Sequence, residues 1–376
     1  NGRQMEIKKI STQKELKEFV RFPIKLYKDH PYFVPPLIFD ELNTFNPAKN
    51  PALEFCEVAC FVAKEGKTLL GRIAVILNKE ANKRFDEKHV RFGWFDVVDN
   101  PEVTEALMGA AADWARQRGM EAIKGPMGFC DFDNEGMLIH GFDQLGTFAT
   151  LYNYPYYPQH LEQLGFRKEV DWVEFQIDVP EELSERYFRF AELLAQKFDL
   201  KVVSCKSTRE LAKRYGKKIF QLLNDSYDVL YGYVPLNEKQ VDYYIKLYLS
   251  FVRPELVSLV VTPEDRVVGL GIAIPSMSKA FQKAKGKLLP FGFIHMLKAI
   301  RKNDLVDFYL MGIHPEYQSK GLNSLIFTDM LPKFQKNGYR LAETNPELET
   351  NSRIQALWSE FGPRHHKTRR IYIKEI

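Results

Sequence analysis

The order of secondary-structure signals in this chain is written twice, and that constrains its fold more than any other feature. The first half opens with a strand (MEIKKI) and a helix from about Thr12 to Lys28. Two strand-like runs around Gly66 follow (EVACFVAKE and LLGRIAVILN), then a further strand, VRFGWFDVVD. An amphipathic helix begins at Pro101 and ends at Gly119, the residues favoured at those two ends. MEAIKGP, the short helix HLEQLGF ending at Gly165, and the strand DWVEFQIDV close the unit.

From LKVVSC the series recurs. Helices are expected at about Thr208–Tyr231 and Glu238–Val252, then strands LVSLVVT and RVVGLGIAIP around Glu264–Asp265. LVDFYLMGI, the helix SLIFTDMLPKFQKNG, the strand YRLAET, the helix SRIQALWSEFG and the strand RRIYIKEI complete it. Gly71 and Gly269, Gly119 and Gly338, and Gly165 and Gly362 hold matching places. Pro180 and an acidic run interrupt the pattern within Val179–Arg189, so the expected division is 1–180 and 181–376. Strands alternating with helices, with hairpins first, predict an α/β fold on a mixed sheet rather than a doubly wound parallel one.

Composition agrees with two ordinary globular units: 376 residues, 45% hydrophobic and 27% charged. A net charge of +4 is too small for nucleic acid to be the main partner. Cys56, Cys60, Cys130 and Cys205 match no disulfide framework and no zinc spacing, so no metal is expected and a reducing, cytoplasmic setting is. No run of 18 apolar residues is present, and the opening NGRQMEIKKI enters a strand without a signal-peptide pattern. Neither a G-x-G-x-x-G after a strand nor a GxxxxGK[ST] run occurs, which disfavours dinucleotide and P-loop sites.

The stretch richest in chemistry is Leu310-Met-Gly-Ile-His-Pro-Glu-Tyr-Gln-Ser-Lys-Gly-Leu-Asn-Ser324. A strand ends at Ile313, Gln318 and Gly321 follow, and a helix begins. Backbone N–H groups of Gln318, Ser319, Lys320, Gly321, Leu322, Asn323 and Ser324 would face an anion, with the helix dipole in support. This stretch resembles the acyl-CoA-binding motif of the GNAT (Gcn5-related N-acetyltransferase) superfamily, with Asn323 where Gly or Ala is usual. The resemblance extends over both halves and implies two tandem GNAT-like domains. In the first, the equivalent turn, Phe95 to Val103, has Asp96, Asp99, Glu102 and no glycine, so a single CoA site in the second half is expected. Gly125-Pro-Met127, Asn134-Glu-Gly136, Gly141-Phe142, Tyr152-Asn-Tyr-Pro-Tyr-Tyr157 and GKLLPFG look like the bacterial ceramide synthase-like family. That resemblance implies transfer of a fatty acyl chain from acyl-CoA to a sphingoid-base amine.

What the superfamily resemblance implies for individual residues follows. An amine attacks the thioester, a base removes its proton, and a backbone N–H near Gly312–Ile313 holds the oxyanion. Relatives often carry an acid six residues before the apolar strand end; here that is Asp307, and Glu343 at the end of LAET is a second candidate base. The tyrosine that protonates the leaving thiolate in relatives corresponds to Trp358, so Tyr309 is the candidate substitute. Asn351 stands where relatives often have an Asn that contacts CoA, or it caps the next helix. Strict alternation puts Asp307, Tyr309 and Met311 on one face.

From Arg266 to Asn303 there are eight Lys and Arg residues and no acidic ones, set around the apolar run LLPFGFIHMLKAI. That pairing is expected of an interfacial helix or the cover of an acyl tunnel, with peripheral membrane contact through residues 279–302. The expected function is an acyl-CoA-dependent N-acyltransferase acting on a lipid amine. The alternatives are a small-molecule or protein N-acetyltransferase using acetyl-CoA and a non-catalytic acyl-CoA- or lipid-binding protein. His365 and His366 are expected in a turn before the last strand rather than as metal ligands.

Overall fold

The computed structural model describes residues 4–249 and 251–376. In chain order the first half holds β1 (Met5–Lys9), α1 (Gln13–Leu26), α2 (Ile38–Thr44), β2 (Cys56–Glu65), β3 (Thr68–Asn78) and α3 (Lys79–Phe85). It continues with β4 (His89–Val97), α4 (Pro101–Arg116), β5 (Ala122–Gly125), β6 (Met137–His140), α5 (Tyr156–Gln163) and β7 (Arg167–Asp178). The second half holds α6 (Glu185–Phe198), β8 (Lys201–Val203), α7 (Thr208–Tyr227), α8 (Glu238–Tyr248), β9 (Val257–Val261) and β10 (Val267–Pro275). After these come α9 (Ser278–Ala284), α10 (Gly292–Arg301), β11 (Leu305–Ile313), α11 (Asn323–Lys336), β12 (Leu341–Glu343), β13 (Glu347–Leu348), α12 (Ser352–Leu357) and β14 (Arg364–Glu375).

One mixed sheet runs through the molecule in the order β1-β2-β3-β4-β5-β14-β7-β12-β11-β10-β9-β8, with β6 beside β14 and β13 beside β7. The two halves repeat each other: β4–β5 and β11–β12 are the parallel pairs, and the hairpins β2–β3 and β9–β10 precede them. The last strand of each half is exchanged. β14 pairs β5 of the first half, and β7 pairs β12 of the second. A cut at residue 180 therefore leaves each half-sheet completed by a strand from the other.

Apolar alternation builds two main cores. Strands β3 and β4 close on α4 through Ile73, Val75, Phe92, Leu107 and Ala111. The second half is sandwiched, with α7 and α8 on one face of the sheet and α11 on the other. The helix α6 begins inside the stretch expected to be a boundary. Ala191, Leu194, Ala195 and Phe198 at helical spacing put it against the core under α11, and Asp199 ends it in left-handed geometry. Helix α5 starts at Tyr156, four residues before the expected HLEQLGF segment, so the end of the tyrosine-rich run is helical.

Candidate acyl-CoA site at the junction of the two halves

The loop from Ile313 to Asn323 has the geometry of an anion cradle. Ser319 and Gly321 have φ of 63° and 84°, so the chain turns back twice before α11. Among the described residues, the N–H groups of Ser319, Gly321, Leu322 and Asn323 take no acceptor, and no side chain caps α11. Gln318 Nε2 donates to the Ile313 carbonyl at 3.3 Å and ties the loop to its strand. Gly321 has a second reason to be glycine: a Cβ there would lie 3.1 Å from Leu194 Cδ1 of α6. Lys320 Nζ lies over the Phe198 ring at 5.3 Å and over Tyr317 at 5.4 Å, so α6 flanks the loop.

The corresponding turn of the first half is closed. Asn100 Oδ1 accepts from Glu102 N–H at 3.0 Å, and Pro101 has no N–H to offer. Asp96 does not face the turn as a bare charge. It is buried, and Arg72 donates to it through Nε at 3.0 Å and NH2 at 2.8 Å. Asp99 lies 3.0 Å from His160 Nε2.

The acidic candidates meet where β11 and β12 stop pairing. Their register is Leu305↔Leu341, Val306↔Ala342 and Asp307↔Glu343, and there it ends. Beyond it Asn345 Nδ2 donates to the Tyr309 carbonyl at 2.6 Å, and Tyr227 donates its hydroxyl to the Met311 carbonyl at 2.6 Å. β11 is bulged at this point. Ile272 faces Leu310 and Ala273 faces Phe308, which leaves Tyr309 as the extra residue. The bulge overturns the expected alternation. Tyr309 and Leu310 both turn toward α7 and α8, whereas Met311 and Ile313 pack under α11 with Phe308. Gly312 permits the close approach of α7, since a Cβ there would lie 2.9 Å from Ser226 Oγ.

Asp307 is 6% exposed, and neither carboxyl oxygen has a hydrogen-bond partner among the described residues. Burial, reinforced by the Glu343 charge, pushes its pKa well above the ordinary carboxyl range despite Lys367. Its surroundings therefore favour the neutral acid form. Burial also works to raise Glu343, but Lys367 and His366 outweigh it and hold that carboxylate below its usual range. Lys367 Nζ lies 3.6 Å from Glu343 Oε2 and 3.8 Å from Glu174 Oε2, and His366 Nε2 lies 3.6 Å from Glu343 Oε1. His366 Nδ1 donates to the Glu174 carbonyl at 3.1 Å, and Arg369 pairs with the Glu174 carboxylate.

These partners were not expected from sequence. The RHHK run is no turn: it begins β14, where His365↔Phe175 and Lys367↔Glu174 leave His366 as a bulged residue. That bulge lets His366 and Lys367 both reach Glu343. The available signal was Glu174 set between Val173 and Phe175 in β7. Tyr309 is half-buried against Phe148 and Tyr248 with ring centroids 5.6 Å away, and desolvation raises its hydroxyl above the ordinary phenol. Trp358 is core: 1% exposed, packed on Phe308 and Phe327, it donates Nε1–H to Glu347 at 2.7 Å. Burial raises that carboxyl to about 7. Asn351 caps α12, accepting from Ile354 N–H at 3.4 Å. Among the described residues no three His, Cys, Asp or Glu side chains are arranged to hold a metal ion.

No protein-family model matches the chain. It is 26% identical over 371 residues to protein YghO of Escherichia coli K12, covering 96% of this chain and 93% of the relative. It is 24% identical over 383 residues to bacterial ceramide synthase of Caulobacter vibrioides NA1000, covering 98% and 96%. Among solved structures, a tandem GNAT protein from the clavulanic acid biosynthesis pathway superposes with a TM-score of 0.58 at 11% identity, over 99% of this chain and 98% of the other. The chain thus has the tandem GNAT fold and is similar along nearly its whole length to bacterial ceramide synthase.

Proposed function

We propose that the protein is an acyl-CoA-dependent N-acyltransferase of GNAT type whose reaction centre lies where β11 and β12 separate. The observation that carries the reading is one strand joining two devices. β11 ends in an anion cradle with unsatisfied N–H groups, and six residues before its end it presents the Asp307–Glu343 pair. Residues 181–376 then form the CoA-binding domain, and residues 1–180 form a degenerate GNAT-like domain that has lost the CoA loop. Gln318 to Ser324 receive the CoA pyrophosphate, Lys320 adds charge beside it, and Asn351 borders the cofactor. The thioester lies beside the bulge, with N–H groups near Gly312–Ile313 directed at its oxyanion.

Carboxyl groups with opposite protonation states divide the proton traffic. The low-dielectric surroundings that keep Asp307 neutral also favour the free-amine form of an incoming ammonium. Glu343, ionised, accepts the proton lost by the amine and passes it to solvent. As the tetrahedral intermediate collapses, the C–S bond breaks and Asp307 protonates the leaving thiolate. Asp307 then recovers a proton from the newly acylated nitrogen. This supplies the donor that Trp358 cannot be. The Tyr309 hydroxyl, raised above pH 10 by burial, is a weaker acid than Asp307 and serves better to orient the thioester.

The similarity to bacterial ceramide synthase supports a sphingoid base or related lipid amine as acceptor and a fatty acyl chain as donor group. In this reading the protein works in the cytoplasm at the membrane surface. A second reading, an N-acetyltransferase using acetyl-CoA, is favoured by the groove beside Ile313. That groove is open and lined mainly by polar side chains, Gln221, Asn224, Asp225, Asp228 and His314, together with Pro235 and Pro315. Mass-spectrometric product analysis after incubation with palmitoyl-CoA or acetyl-CoA and a panel of amines tests both. A long-chain amide supports the first reading, an acetamide the second, and CoA binding without any amide contradicts both.

A further inference from the structure

We propose that α9, α10 and the loop between them dock on the anionic face of a lipid bilayer, and that an aromatic lane leads from this surface to Tyr309. The lane's purpose rests on the N-acyltransferase reading; the docking does not.

The surface is apolar where a water-facing helix should be polar. Leu289 is 71% exposed and Phe291 68%, and Phe293, Ile294 and Leu297 are also exposed. The opposite face of α10 is accounted for, because Met296, Ala299 and Ile300 pack into the core under α7 and α8. The exposed residues are therefore not a core face turned the wrong way. Seven cations, Lys279, Lys283, Lys285, Lys287, Lys298, Arg301 and Lys302, lie in the same stretch, without one acidic residue between Arg266 and Asn303.

The element is held rigidly by the first half of the chain. Gln282 Nε2 donates to the carbonyls of Pro31 at 3.0 Å and Phe33 at 3.1 Å. Ser278 Oγ donates to the Gly146 carbonyl at 2.7 Å, and Ile38 N–H donates to the Gly286 carbonyl at 3.0 Å. The last contact brings the exposed Phe39 of α2 alongside.

Charge selects the occupant. A second copy seated two-fold on this surface would bring two sets of seven cations together with no carboxylate in the stretch to offset them. An anionic leaflet supplies diffuse negative charge for the lysines and acyl chains for Leu289, Phe291 and Leu297 in one ligand.

The lane begins at the exposed Phe251. Its ring lies 6.5 Å from both Phe148 and Tyr248. Phe148 also meets Phe281 of α9 at 5.8 Å, and both Phe148 and Tyr248 meet Tyr309 at 5.6 Å. A continuous row of aromatic rings thus joins this surface to the bulge of β11, an apolar path suited to the chain of a lipid amine.

The test is co-sedimentation of the full-length protein with phosphatidylglycerol/phosphatidylcholine vesicles and with pure phosphatidylcholine vesicles, at low and high salt. We expect salt-sensitive binding to the anionic vesicles, weakened about tenfold or more in Leu289→Ser/Phe291→Ser. Reversal of Lys283, Lys285 and Lys287 to Glu should abolish the preference for anionic lipid. Both variants should keep wild-type acyl transfer to a short water-soluble amine, which also reports that they are folded, and lose transfer to a long-chain amine held in vesicles. Absence of wild-type binding, or binding unchanged in both variants, overturns the docking. So does concentration-dependent self-association lost in Leu289→Ser/Phe291→Ser without any vesicle binding. Vesicle binding with no amide formed from any amine leaves the docking standing and removes the N-acyltransferase reading.

Discussion

Asp307 and Glu343 are register partners on neighbouring parallel strands, yet their surroundings push the two pKa values in opposite directions, up for Asp307 and down for Glu343. The difference comes from the exchanged strand β14. Its bulge directs Lys367 and His366 at Glu343, and among the described residues nothing donates to Asp307. Glu174, on β7 of the first half, lies 3.8 Å from Lys367 Nζ, so both halves contribute to this charge cluster as well as to the sheet.

Asp307→Asn is expected to lower turnover about 10²- to 10³-fold with little change in CoA affinity. An acyl thioester with a more acidic thiol needs no proton donor on departure, so with it the defect should shrink to about tenfold or less. Steady-state kinetics with both donors, together with CoA titration calorimetry, check this. An equal loss of turnover and CoA affinity would count against a catalytic role.

Lys367→Met leaves Glu343 and Glu174 without a buried ammonium. Removing one partner of a buried charge cluster typically costs about 3–5 kcal/mol, and Arg369 still holds Glu174, so the lower end is expected by chemical denaturation. Loss of the positive charge raises the pKa of Glu343. Because activity requires its ionised form, the acid limb of the pH–rate profile should move to higher pH. A purely structural role would leave that limb in place.

Glu347 is raised to about 7 in the folded chain against 4.5 when unfolded. A raised acid binds its proton more tightly in the native state, so its contribution is fully present below pH 4.5 and lost as pH rises toward 7. Glu347→Gln keeps a carbonyl oxygen for Trp358 Nε1 and removes the titration. It should stabilise the protein at pH 8 by about 1–3 kcal/mol relative to its effect at pH 4.5, measurable by denaturant melts at the two pH values.

Gly321→Ala puts a Cβ on a residue with φ of 84° and within 3.1 Å of Leu194. A strain of about 1–2 kcal/mol should fall on the cradle rather than on the fold. CoA affinity should drop about tenfold with little change in melting temperature. The same substitution at Gly119, which meets nothing and lies far from the cradle, should leave CoA affinity alone.

What could be read from the sequence was local. The strand–Gln318–Gly321–helix turn and the paired glycines Gly119 and Gly338 are set by backbone geometry a few residues long. The exchange of β7 and β14 is a pairing between residues about 190 apart, as in Lys367 with Glu174, and no local pattern encodes it. Bulges hid the rest. Tyr309 and His366 each break the two-residue period, so counting along β11 put Met311 on the wrong face and left His366 in a turn. Helix α6 was concealed by Pro180 and the acidic run before it, although its apolar spacing was present.

The most direct test of the account is acyl transfer itself, followed together as free CoA thiol and as amide by mass spectrometry, with palmitoyl-CoA and a long-chain amino alcohol. The account predicts stoichiometric thiol and amide from the wild type, and loss of both at retained CoA binding in Asp307→Asn and Glu343→Gln. CoA binding without amide across acyl donors and amines, or bound CoA cross-linking to residues 96–105 instead of 318–324, would contradict it.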